Sequence, residues 1–65
     1  MQKKTIKCHT QAFFVGICEQ LAQDLIDYKT NSSELKVEVD NFPPDYDTRK
    51  LGYRYGKPYG WKILD

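Results

Sequence analysis

Apolar residues recur every three or four positions between residues 10 and 29, with polar residues between them. The apolar positions are Phe14, Ile17, Cys18, Leu21, Leu25 and Tyr28. This spacing is typical of one face of an amphipathic α-helix. Thr10 is the expected N-cap, because its hydroxyl can accept a hydrogen bond from a free N–H of the first turn. The pattern therefore predicts a helix over residues 10–29, ended by the turn-forming residues 31–33.

Two segments alternate between apolar and polar residues, as strands with one buried face do. Residues 4–9 precede the predicted helix, and residues 35–40 follow it. In the first segment Cys8 faces one way, whereas Lys7 and His9 face the other. Strand, helix and strand with short connections predict a β-α-β unit, whose crossover is right-handed if the two strands are parallel neighbours.

The sequence pattern in the last third of the chain predicts a loop and then a hairpin. Two consecutive prolines in residues 41–47 remove backbone donors, so this segment is expected to be an ordered loop, held to the body by its aromatic residues. Alternation resumes over residues 50–55 and 59–63, separated by the turn-forming residues 56–58. The predicted fold is α+β in the order β-α-β-β-β, a single helix on one face of a small three- to four-stranded mixed sheet. Residues 1–65 are expected to form one compact domain.

Glycine follows a large residue at a period of four in the C-terminal segment, at Gly52, Gly56 and Gly60. One interpretation is a degenerate binding pattern. The simpler one is structural, because bulges, turns and close packing beside aromatic rings all favour glycine. We expect these glycines to shape the backbone.

Few residues in the chain could build a catalytic or metal site. His9 is the single histidine, and Cys8 and Cys18 lack the spacing of a zinc site. Alternation also sends Cys8 and His9 to opposite faces, which excludes a Cys-His nucleophilic pair. No cofactor, metal or enzymatic activity is therefore expected, and His9 is interpreted as an exposed strand residue.

Paired carboxylates are the remaining catalytic candidates. Asp24 and Asp27 are one helical turn apart on the predicted polar face, where a solvated role is expected. Asp45 and Asp47 lie in the proline-containing loop, where turn roles are expected. Catalytic carboxylates need a pocket that shifts their pKa, and a chain this short has little material to build one.

The 65 residues carry a formal net charge of +1, which argues against a strongly basic nucleic-acid-binding protein. No apolar run approaches the ~18 residues of a membrane helix. The basic N-terminus meets polar residues too early for a signal-peptide core, so a cytoplasmic protein without membrane association is expected. In that compartment Cys8 and Cys18 are interpreted as small apolar residues and not as a disulfide.

Charge and aromatic residues are unevenly distributed. Residues 34–47 carry −4 and residues 48–64 carry +5, and six of the nine aromatic residues fall within residues 42–61. Tyr, Trp and Arg are enriched at protein interfaces, whereas basic residues among aromatics also suit phosphates and unpaired bases. A third interpretation is that these rings form the core face of the hairpin.

One helix can cover only one face of a sheet, so surplus aromatic residues are expected to meet a partner. The sequence predicts a small non-enzymatic regulatory or accessory protein, of a size also common among phage-encoded proteins, that binds a protein partner through its C-terminal hairpin. Nucleic acid on the same surface is the alternative, and a homodimer is left open. The candidate binding residues are Phe42, Tyr46, Arg49, Lys50, Tyr53, Arg54, Tyr55, Lys57, Tyr59, Trp61 and Lys62.

Overall fold

The computed structural model describes residues 2–64, in which one helix packs against a four-stranded antiparallel sheet. The predicted α+β class, with a single helix on the sheet, is confirmed. The sheet order is β2-β3-β1-β6, and β4 and β5 form a separate two-stranded hairpin. In chain order the elements are β1 (Gln2–Cys8), α1 (Gln11–Gln23), β2 (Lys29–Asn31), β3 (Lys36–Phe42), a 3₁₀ helix (Thr48–Leu51), β4 (Tyr53–Arg54), β5 (Lys57–Pro58) and β6 (Trp61–Ile63).

Helix α1 begins as predicted. The Thr10 hydroxyl accepts a hydrogen bond from the Phe13 N–H at 3.3 Å, which caps the first turn. Phe14, Ile17 and Leu21 from the predicted stripe are buried against the sheet. The apolar spacing therefore identified the face of the helix that forms the core.

The predicted end of α1 at residue 29 is wrong, because the helix ends at Gln23. The Ile26 N–H donates to the Leu21 carbonyl and the Leu25 N–H to the Ala22 carbonyl, the pair of bonds that defines a Schellman motif. Leu25 has a φ of 59°, a left-handed conformation in which glycine is usual. This turn leaves Leu25 92% exposed, although its position lies within the apolar stripe.

Strand β2 occupies residues that the prediction assigned to the helix end and the following turn. It pairs antiparallel with β3, and β3 pairs antiparallel with β1. β2 and β1 therefore run in the same direction with β3 inserted between them. The two strands of the predicted β-α-β unit are β1 and β3, and they are neighbours in the sheet. The additional strand β2 reverses the chain before β3, so β1 and β3 pair antiparallel and the sheet is antiparallel, where a mixed sheet was expected.

Strand β3 extends to Phe42, two residues into the predicted loop. The register shifts between the pairs Lys4–Val39 and Gln2–Phe42, which places a bulge in β3. Beyond this bulge Phe42 points into the core and is 5% exposed. The two prolines that stop the strand come directly after it.

The C-terminal segment forms two pairings in place of the single predicted hairpin. Residues 48–51 form the 3₁₀ helix, and β4 pairs with β5 around Tyr55 and Gly56, so the turn lies one residue earlier than predicted. These two residues have φ values of 55° and 75°, and a type I′ two-residue loop needs both to be positive. β6 instead pairs antiparallel with β1 in the main sheet.

Gly60 confirms the structural interpretation of the periodic glycines. Its φ is 85°, and a Cβ atom at this position would lie 2.5 Å from the ring of Phe13. The ring packs directly over the glycine backbone, so no larger residue fits without displacing it. Gly52 and Gly56 also have positive φ values.

The core lies between α1 and one face of the sheet. Its buried residues are Ile6, Cys8, Phe14, Ile17, Leu21, Val37, Val39, Phe42, Leu51 and Trp61. Residues paired across neighbouring strands share a face of a sheet. The pairs Lys7–Lys36 and Lys7–Lys62 therefore lie together on the opposite face, away from the helix.

Candidate protein-binding surface

The predicted binding residues divide between an exposed hairpin, the core and two further surfaces. Phe42 and Trp61 are core residues, and Trp61 is 3% exposed. Lys62 lies on the sheet face away from the helix. The residues that the structure brings together in an exposed position belong to the hairpin and the residue after it: Tyr53, Arg54, Tyr55, Lys57 and Tyr59.

The base of the hairpin is fixed by the carbonyl group of Gly52. This oxygen accepts the Trp61 indole N–H at 2.8 Å and the Tyr59 backbone N–H at 3.1 Å. The Tyr53 ring lies beside the Trp61 ring, with centroids 6.1 Å apart. The contribution of Trp61 to this surface is therefore to position the hairpin from within the core.

Tyr59 and Arg54 form a second contact at the hairpin base. The Tyr59 ring meets the Phe13 ring edge to face at 5.3 Å, and the Arg54 guanidinium carbon lies 4.5 Å from the Tyr59 centroid. The second distance falls within the range of a cation–π interaction. These contacts pre-organise Arg54, because its charged group already rests on an aromatic face.

Tyr55 differs from its neighbours because its side chain packs on nothing within residues 2–64 and is 95% exposed. Its φ of 55° places Cβ near the following carbonyl, which costs an ordinary residue ~1–2 kcal/mol. Asn, Asp or Gly is usual at this position of a type I′ turn. The hairpin therefore presents a large aromatic ring at its tip in a strained backbone conformation.

Tyr46 and Lys50 lie in a separate polar cluster at the end of α1. The Tyr46 hydroxyl donates to the Asp24 carboxylate, which also accepts from Gln20 at 3.0 Å and from Lys50 at 3.4 Å. The hydrogen bonds from Tyr46 and Gln20, followed by Lys50, lower the pKa of Asp24. Burial and the neighbouring Asp24 raise the pKa of Tyr46. Asp24 was expected to be solvated, but it ties the loop to the helix end.

The same loop is held by two further contacts. The Tyr46 ring meets the Phe42 ring edge to face at 5.5 Å, so these aromatic residues hold the loop to the body as predicted. Asp47 caps the 3₁₀ helix by accepting the Arg49 N–H at 3.1 Å, and it pairs with the Arg49 side chain at 3.0 Å. Hydrogen bonds from Arg49 lower the pKa of Asp47. Arg49 and Lys50 are therefore both engaged within the chain.

The residues considered for catalysis or metal binding are dispersed. His9 is exposed after the end of β1 and Cys8 is buried, so the predicted opposite orientations are confirmed. Cys8 and Cys18 are free thiols, and burial, with a smaller effect of Cys18, raises the pKa of Cys8 to about 11. Among residues 2–64, no three His, Cys, Asp or Glu side chains are close enough to hold a metal ion.

A groove of about 390 Å³ lies at the end of α1, beside the exposed Leu25. Its lining includes the carboxylates of Asp24, Asp27, Glu38 and Asp40. Of the carboxylate pairs considered above as catalytic candidates, Asp24 and Asp27 line the groove, whereas Asp45 and Asp47 do not. The sequence pattern did not predict this groove, because it extended the helix to residue 29 and residues 24–29 line the groove.

Comparisons with protein-family models, curated proteins and solved structures found no match for this chain. No helix within residues 2–64 is long and apolar enough to cross a membrane. Functional interpretation therefore depends on the geometry of the surfaces described above.

Proposed function

We propose that this chain is a small, non-enzymatic regulatory or accessory protein of the cytoplasm that binds a protein partner through the β4–β5 hairpin. Tyr55 is the anchor that enters a pocket of the partner. Arg54, Lys57 and Tyr59 form the surrounding contacts. Trp61 supports this surface from the core, because its indole N–H binds the Gly52 carbonyl and its ring lies beside the Tyr53 ring.

The observation that carries the proposal is the combination of strain and exposure at Tyr55. The ring is 95% exposed, and its backbone adopts a positive φ of 55°. Within residues 2–64 the Tyr55 ring makes no contact that would offset the cost of this backbone conformation. Strained backbone positions that persist are associated with functional sites, and tyrosine is among the residues enriched at binding hot spots. A pocket on a partner would supply the missing contact.

The charges around the hairpin favour a protein over a nucleic acid at this surface. Arg49 pairs with Asp47 and Lys50 with Asp24, while Arg54 lies over the Tyr59 ring. Lys57 is the hairpin cation without an ion pair in the described part of the chain. Most of the positive charge beside the hairpin is therefore already engaged within the chain.

The test compares Tyr55→Asn with the wild-type protein. Asparagine suits the left-handed position of the type I′ turn, so the hairpin is retained while the ring is removed. Partners captured by the wild-type protein from lysate are purified, and their affinity is measured by calorimetry. We expect at least about a tenfold loss of affinity for Tyr55→Asn, as for a hot-spot residue.

Leu25→Ala is the matched control, because Leu25 is also a large exposed residue at a positive φ, but at the end of α1. It should retain the wild-type affinity. Equal affinities for Tyr55→Asn and the wild-type protein would contradict the proposal. Sedimentation of the protein alone identifies the case in which the partner is a second copy, since that dimer would also depend on Tyr55.

Nucleic acid at the hairpin is the alternative function. It predicts that Lys57→Gln weakens binding to an oligonucleotide and that affinity falls steeply as salt rises. Protein binding through Tyr55 predicts a shallow dependence on salt. A titration of the wild-type protein and Lys57→Gln at two salt concentrations therefore separates the two functions at the hairpin.

A further inference from the structure

Three lysines form a row across neighbouring strands on the sheet face away from α1. Lys7 on β1 lies directly opposite Lys36 on β3 and Lys62 on β6. Neighbouring strands are ~4.8 Å apart, so the Cα atoms of the row extend over ~10 Å. Local sequence patterns do not predict this row, because it depends on the order and register of three strands.

The row is only partly neutralised. The Lys36 ammonium lies 3.5 Å from the Glu34 carboxylate, and the Lys7 ammonium donates to the Glu34 backbone carbonyl. Lys62 is exposed and forms no ion pair with any residue between positions 2 and 64. Like charges placed directly opposite destabilise a sheet, and an exposed ion pair contributes little. An anion seated on the row would relieve this repulsion.

The remaining positions of this face keep it basic and polar. Strand alternation and register add Lys3 and Lys29 to the face, against Glu38 and Asp40. The other strand positions there hold Thr5 and Asn31. Within residues 2–64, no strand position of the face holds an aromatic residue. Leu64, directly after β6, donates its backbone N–H to the Thr5 carbonyl at 2.9 Å and is the one large apolar residue that follows this pattern onto the face.

We propose that this face binds the sugar–phosphate backbone of double-stranded nucleic acid, with Lys36, Lys7 and Lys62 as the phosphate contacts. Single-stranded nucleic acid is usually held by aromatic rings that stack on its bases, and this face offers none. A duplex needs only cations on its phosphates. The site is independent of the hairpin proposed to bind protein, because it uses different residues on a different surface.

The experiment measures anisotropy of a labelled 20-base-pair DNA duplex at 50 and 200 mM salt. Three phosphate contacts predict a slope of log K against log salt of about −2.7, which is about a 40-fold loss of affinity over this range. Lys62→Gln should make the slope shallower by about 0.9. Lys57→Gln is the control with the same change in charge on the hairpin, and it should leave both affinity and slope unchanged.

Four results would overturn the proposal. They are no binding at 50 mM salt, an equal loss for Lys57→Gln and Lys62→Gln, tighter binding to a single strand of the same length, and tighter binding to phosphatidylserine-containing vesicles than to the duplex. The variant with Lys7, Lys36 and Lys62 all changed to Gln should retain the wild-type circular dichroism spectrum and lose duplex binding. If its spectrum changes, the single Lys36→Gln and Lys62→Gln variants decide the outcome.

Discussion

The hairpin tip and the start of β6 each place an aromatic residue next to a glycine, but the two aromatic residues have opposite environments. Tyr55 is 95% exposed, whereas Trp61, directly after Gly60, is 3% exposed. The difference comes from pairing: Trp61 lies opposite Cys8 in the main sheet, while Tyr55 turns a hairpin that pairs only with itself. Similar local composition therefore serves the core in one place and a surface in the other.

Trp61→Ala changes the buried residue of this pair and should have the largest effect on stability. This change empties a buried site and removes the indole hydrogen bond to Gly52, so we expect the free energy of unfolding to fall by ~3–5 kcal/mol. Chemical denaturation followed by circular dichroism measures the loss. A change as small as that expected for an exposed residue would show that Trp61 does not belong to the core.

Gly60→Ala tests the same region at the backbone. The added Cβ would meet the Phe13 ring at 2.5 Å and would require alanine at a φ of 85°, so we expect a loss of ~1–3 kcal/mol. Repeating the change in a Phe13→Leu background should recover part of the loss. Full additivity of the two changes would mean that the ring contact is not its cause.

Tyr55→Asn changes the exposed residue of the pair. Because the ring packs on nothing within residues 2–64 and asparagine tolerates a left-handed backbone, we expect the free energy of unfolding to rise by ~0.5–1 kcal/mol. Thermal denaturation of both proteins checks this. A destabilised Tyr55→Asn variant would indicate that the ring stabilises the fold and is not free for a partner.

The loop before the hairpin should give the smallest effect, one that is present at neutral pH and lost in acid. The pKa of Asp24 is lowered in the folded protein by Tyr46, Gln20 and Lys50, so its stabilising contribution is present above its unfolded pKa of ~3.9. That contribution is lost as pH falls through the folded pKa. Urea midpoints at pH 7 and pH 2.5 should therefore differ less for Tyr46→Phe than for the wild-type protein. If the midpoint changed equally between pH 7 and pH 2.5 in both proteins, this hydrogen bond would be excluded as a source of acid sensitivity.

Sequence patterns predicted those parts of the fold that depend on neighbours along the chain. The Thr10 cap and the buried positions Phe14 and Leu21 followed from spacing alone. The end of α1 did not, because Leu25 occupies the left-handed position where glycine would have marked a stop. β2 was hidden for the same reason, since the apolar period continued past the true end of the helix.

The candidate surfaces were less predictable because they depend on contacts between distant segments. Alternation placed Tyr55 and Trp61 in the same predicted hairpin, and only the pairing of β6 with β1 separates them. Alternation placed Lys7 on the strand face opposite to Cys8, and Lys36 lies in the second alternating segment, residues 35–40. Their position beside Lys62 requires strand order and register, which no local pattern contains.

The lengths of the strands have a consequence for self-association through the sheet. The two strands at the edges, β2 and β6, have three residues each, while the two central strands have seven. Short edges that carry a lysine, here Lys29 and Lys62, offer an incoming strand few backbone groups to pair with and a charge to bury. The sheet is thereby protected against edge-to-edge aggregation. The proposed contact through the exposed Tyr55 ring is then the remaining route by which two copies of this chain would associate.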